Sequence, residues 1–177
     1  SFYDDYLAEV GTKGYQAGDT LALIAPHLLA HDVTDEDVAR EAKDAKVCLG
    51  VEEYIAGLKE DGWTVRIIST AYSQLWELVG KHIGVPMEDI ACTTLDLASL
   101  RKSFAANGVF DATRNAEKNI LGLIPLANQA MKEVDQGKSV VEVLGKDLRF
   151  TPLLSVLDEL YWRKLPSMGY QTLEAVK

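Results

Sequence analysis

The chain has 177 residues, 47% of them hydrophobic and 25% charged, ordinary values for a globular protein with a sizeable core. Lys and Arg total 18 against 27 Asp and Glu, and the resulting formal charge of −9 argues against nucleic acid and anionic lipid as partners. No apolar run approaches the ~20 residues of a membrane-spanning helix, so no membrane insertion is expected. The best run, Leu21 to Ala30, is broken by Pro26 and His27.

In chain order, Phe2 to Val10 reads as a first helix closed by the turn Gly11 to Gly14. Asp19 is placed to cap a helix over Thr20 to Ala30, whose stripe is Leu21, Ile24, Leu28 and His31, with Pro26 expected to kink or restart it. Thr34 heads a third helix, and its spacing to Asp37 resembles a capping box. Val51, Tyr54, Ile55 and Leu58 form a helical stripe that Asp61-Gly62 ends. The β-branched run Trp63 to Ile68 predicts a strand, followed by polar Ser69 to Ser73 and a helix with the stripe Leu75, Leu78, Val79, Ile83. Gly84-Val-Pro86 closes that helix, and Asp89 to Thr94 predicts a second strand. The order strand, helix, strand predicts a βαβ unit with parallel strands.

Beyond Leu95 the pattern returns to helix. Ser99 to Ala106 is short, Asn107-Gly108 is a turn, and a long stripe from Ile120 to Val134 contains Pro125. Thr151-Pro152 is a helix start, and Pro166 is expected to end the run that follows. Cys48 and Cys92 stand in apolar surroundings, the setting of reduced, buried thiols, and no secretory signal is visible, so a cytoplasmic protein is expected. The chain opens on Ser1 and stops at Lys177 without a terminating signal, and is expected to be a piece of something longer.

Ligands of parallel sheets bind beyond the carboxyl ends of the strands, which draws attention to Ser69 and Thr70. A hydroxyl there, just ahead of a helix, can meet an anion at the helix's positive end; the local pattern alone also fits a plain helix cap, and favours it. His27 and His31, at i and i+4, can share a face for a metal, but capping or a half-buried role is the simpler expectation. His82 complements the end of its helix. The acidic groups Asp4-Asp5, Asp35 to Asp37, Glu52-Glu53 and Glu88-Asp89 sit at helix starts or turns, where solvated, dipole-compensating roles are expected. Phosphate-loop, nucleophile-elbow, dinucleotide and calcium-loop motifs are all missing from the sequence. Trp63, Trp76 and Trp162 read as core or interface residues.

The run from Gly50 through Lys59-Glu-Asp-Gly62, Trp63 to Ser69-Thr70 and on to Gly84-Val-Pro86 resembles the second-motif region of the haloacid dehalogenase superfamily. The wider chain, in Tyr3 to Val10 and Tyr15 to Leu21, is similar to an archaeal branch of it, the energy-converting hydrogenase A subunit R group. The resemblance implies an α/β fold: a Rossmann-like parallel sheet fragment with two largely helical cap or insert lobes. Residues 1–46 would be one lobe, 47–95 part of the core and 96–177 the second lobe. It implies a phosphatase acting on a small phosphorylated molecule through an aspartyl-phosphate, with Mg²⁺ as cofactor and Ser69, or Thr70 beside it, binding the phosphoryl group. No Asp-x-Asp strand precedes Gly50, and neither Lys118 nor Lys138 has the matching strand context, so nucleophile and metal ligands are absent and the chain alone is expected to be inactive. A two-stranded sheet would leave apolar edges bare, so further segments or a second chain would complete the core. The alternative expectation is a non-catalytic accessory protein of a larger, hydrogenase-type complex. A third, a small helical domain with no true βαβ unit, falls if strands 63–69 and 89–94 pair in parallel with Ser69 at the carboxyl edge.

Overall fold

A computed structural model describes residues 2–12, 14–16 and 19–172. Helices α1 (Phe2–Glu9), α2 (Thr20–Ala30) and α3 (Asp35–Ala42) form as the patterns predict. The Thr34 capping box is present: the Asp37 N–H donates to Thr34 Oγ1 and the Thr34 N–H donates back to Asp37. At α2 the structure differs from expectation. Asp19 does not cap it; its carboxylate turns back to accept the Gln16 N–H at 2.9 Å. Pro26 does not restart the helix, which continues through it to Ala30. Its buried face is Ala22, Leu23, Ala25, Pro26, Leu29 and Ala30, while Ile24 is exposed and Leu21 and Leu28 are only half-buried. Nearly every position of α2 is apolar, so periodicity cannot choose a face; the alanine side wins because it admits close packing.

Helix α4 (Val51–Glu60) leads to strand β1 (Ile67–Tyr72), helix α5 (Ser73–His82) and strand β2 (Ile90–Thr93). The strands pair in parallel, as predicted, with Ile67 opposite Ile90 and Ile68 opposite Ala91, which meets the pairing condition against the purely helical alternative. The first strand starts four residues later than expected: Trp63 to Arg66 have no strand partner, because β2 begins only at Ile90 and pairing sets the strand's start. One face of the pair packs under α4 and α5 in a core of Ile55, Ile83, Val85 and Ile90, joined by Ile67 and Trp76. The other face is bare, with Ile68 91% exposed and its partner Ala91 exposed too.

The remaining chain is helical: α6 (Leu97–Phe104), α7 (Val109–Gly122), α8 (Ile124–Asp135), α9 (Thr151–Asp158) and α10 (Leu165–Ser167). The stripe from Ile120 to Val134 belongs to two helices, because Pro125 starts a new helix after the break at Leu123. The helical run ends at Ser167, one residue past Pro166. Two π-helical turns, Val141–Lys146 and Glu159–Lys164, bracket α9. The helices on both sides of the βαβ unit share a core of Tyr3, Leu7, Leu23, Leu29, Leu97, Val109, Leu160, Leu165 and Tyr170. Helices α2 and α7 make its most extensive helix–helix contact, with Ala22, Ala25 and Leu29 of α2 and Val109 of α7 in the shared core. Arg101 fastens α6 to the end of α2, donating to the carbonyls of Leu29 and Val33 and pairing with Asp32 at 2.7 Å. The molecule is thus mostly helical around a small parallel sheet, an α/β arrangement.

Candidate functional site

The regular ladder ends at Ile68 and Ala91; pairing resumes only at Tyr72 and Thr93, with a bulge between. Ser69 is therefore the first residue past the regular pairs, although the strand itself runs on to Tyr72, so neither Ser69 nor Thr70 is its last residue. Half-buried Ser69 accepts the Ala71 N–H on Oγ at 3.1 Å, which shapes the bulge and leaves the hydroxyl hydrogen to donate. Ser69 caps no helix: α5 starts at Ser73, and its cap position is Tyr72, which supplies no side-chain bond. Thr70 is exposed, and its carbonyl accepts from Thr93 Oγ1 at 2.8 Å. Ser69, Thr70 and Thr93 thus gather at the carboxyl end of the pair, ahead of a helix whose first turn carries no acidic residue. Burial pushes the Tyr72 phenol up to about 12, keeping it a neutral donor to the Leu21 carbonyl at 2.7 Å.

The cleft at the start of α5 is acidic, lined by Asp35, Glu36, Glu77 and Asp96 beside Ser73 and Gln74. Asp35 is not merely solvated, as expected from its place in a helix start. It accepts the Leu97 and Ala98 N–H groups at 3.2 Å each and Gln74 Nε2 at 2.9 Å, holding α3, α5 and α6 together. Asp96 accepts the Ser99 N–H at 2.8 Å, and that backbone bond holds its carboxyl below the usual range. These carboxylates are already engaged by backbone donors. Among the described residues no group of three or more His, Cys, Asp or Glu side chains is placed to hold a metal ion. The acidic lining also opposes a dianion entering from that side.

The sequence reading missed a second polar constellation. Glu117 on α7 binds both histidines of α2, at 2.6 Å from His27 Nδ1 and 2.8 Å from His31 Nε2. His27 Nε2 lies 2.7 Å from the buried Tyr161 hydroxyl. Glu117 accepts from His27 Nδ1, and His27 Nε2 and the Tyr161 hydroxyl share a second hydrogen bond. Burial opposes the charge on Glu117, but the bonds from His27 and His31 outweigh it and hold the carboxyl below its ordinary value. The half-buried role expected for His27 is the observed one; His31 is exposed. Nearby, Tyr3 donates to Asp158 at 2.6 Å and accepts from Trp162 Nε1 at 3.0 Å, and buried Asp4 accepts from Tyr15. Asp4 is thus a core hydrogen-bond acceptor, where a solvated residue was expected. His82 pairs with Glu52 at 2.7 Å in the last turn of α5.

Both cysteines are free, but Cys48 is exposed, contrary to the buried setting expected, because it lies in an irregular segment ahead of α4. Trp63 is 66% exposed and has no part in a core. Among the described residues no helix is long and apolar enough to cross a membrane. No model of a known protein family matches the chain, and neither a curated protein nor a solved structure matches it.

Proposed function

We propose that the chain is the central part of a haloacid-dehalogenase-like hydrolase, with the βαβ unit as a portion of its catalytic core and the helices around it as cap or insert. The observation that carries this reading is the hydroxyl of Ser69, directly past the last regular pair of a parallel ladder and ahead of the open N-terminus of α5. Its role would be to orient an oxygen of a phosphoryl group on a small molecule, with Thr70 as the neighbouring hydroxyl. The bare face at Ile68 and Ala91 supports the same reading, because parallel sheets are ordinarily covered on both faces. The phosphatase chemistry also needs a carboxylate nucleophile, a general acid and a counter-charge, and this reading places them outside the chain.

The reading has a two-part test. The chain alone should not turn over p-nitrophenyl phosphate with added Mg²⁺, and robust turnover would refute the assignment of roles. The gene should encode an Asp-x-Asp strand upstream of Ser1, and a coding sequence without one contradicts the hydrolase reading. In that event the exposed apolar side chains Leu49, Tyr54, Trp63 and Ile68 favour the second reading, an accessory protein docked through the βαβ unit onto a larger assembly.

A further inference from the structure

We propose that the C-terminal helices hold a binding pocket for a small uncharged apolar group, formed where the α7–α8 break faces α9 and the first π-helical turn. The cavity has a volume of about 120 Å³ and a wholly apolar lining. Leu123, Ile124 and Ala127 form one wall, Leu153 and Leu157 of α9 another, and Leu144 of the π turn Val141–Lys146 a third. Tyr3 offers it only ring surface, since its hydroxyl is engaged by Asp158 and Trp162. Leu144 and Leu153 are buried at the back, while Ile124 is 45% exposed and marks the mouth.

Three features set this cavity apart from a packing flaw. Protein interiors leave few voids larger than a water molecule, and an apolar void is costly to leave empty. Water gains nothing by entering, because no polar group lines the space to hold it. The wall helix α9 lies between two π-helical turns, a rare geometry frequent at functional sites. An engineered cavity of roughly 150 Å³ with a similar lining stays dry and takes benzene, so the ligand class here is one aromatic ring or a short aliphatic chain. The pocket is separate from Ser69, and its fate does not depend on the hydrolase reading.

Benzene is the probe for the test, added to the whole chain while side-chain methyl resonances and the melting temperature are followed. Saturable shifts at Leu144, Leu153 and Ile124 with a rise in melting temperature are expected. Ala127→Phe, which fills the space from α8, should lose that saturable binding while keeping the helical circular dichroism; Leu157→Phe does the same from α9. Absence of saturable shifts in the unsubstituted chain up to the solubility limit of benzene overturns the proposal, whatever the variants do. So does unchanged binding in a folded Ala127→Phe protein.

Discussion

Glu117 joins two histidines one turn apart on α2 to the opposing helix, and its pH dependence follows from its lowered pKa. Because the folded value lies below the unfolded one, the stabilisation is complete above the unfolded value. It is lost as the pH falls through the lower, folded value. Glu117→Gln should cost about 1–3 kcal/mol at neutral pH, the range for hydrogen bonds to a charged group and for stranded partners. It should also flatten the acid limb of stability against pH, measured by urea denaturation between neutral pH and pH ~3. A variant whose acid limb parallels that of the parent would mean the carboxylate has no such role. The histidine pair was legible in its i, i+4 spacing, but its partner was not, since His27 and Glu117 stand 90 residues apart and Glu117 looks like any helix-surface carboxylate. The Thr34–Asp37 box was legible because all its partners lie within four residues; its Asp37 carboxyl, held by the Thr34 N–H and Arg40, falls to about 2.

Two glycines inside helices make opposite predictions for the elements that carry the βαβ unit. A Cβ on Gly57 of α4 would meet nothing within 4 Å, so Gly57→Ala should raise stability by about 0.5–1 kcal/mol through helix propensity and lost unfolded-state entropy. On Gly80 of α5 it would sit 2.7 Å from Ile90 Cδ1 and 2.9 Å from the Val85 carbonyl oxygen. The carbonyl cannot swing aside as a side chain can, so Gly80→Ala should lose about 1–3 kcal/mol despite the same propensity gain. Thermal denaturation of the two variants checks the sign, and equal shifts would mean α5 does not lie this close to β2. The unit itself was readable because apolar period changed from helix to strand and back over short, punctuated stretches. The limits of β1 were not, since they depend on where β2 begins. The first half of α7 also escaped notice: its buried residues are Val109, Ala112 and Thr113, too small and mixed to register as a stripe. Neither π turn carries a local signal.

For the molecule as a whole, the bare sheet face is the feature that most needs an explanation. Ile68→Lys should leave thermal stability within about 0.5 kcal/mol, because nothing covers that side chain. A loss of about 2 kcal/mol or more would show that the face is covered in the isolated chain. The central claim concerns the hydroxyl end of the parallel pair, and amide NMR during titration with inorganic phosphate, against chloride at equal ionic strength, tests it most directly. Binding should be weak, because Asp35, Glu36, Glu77 and Asp96 line the adjoining cleft, yet saturable, with the shifts confined to Ser69 through Gln74 and abolished by Ser69→Ala. Shifts that never saturate, fall elsewhere or persist in Ser69→Ala would contradict it.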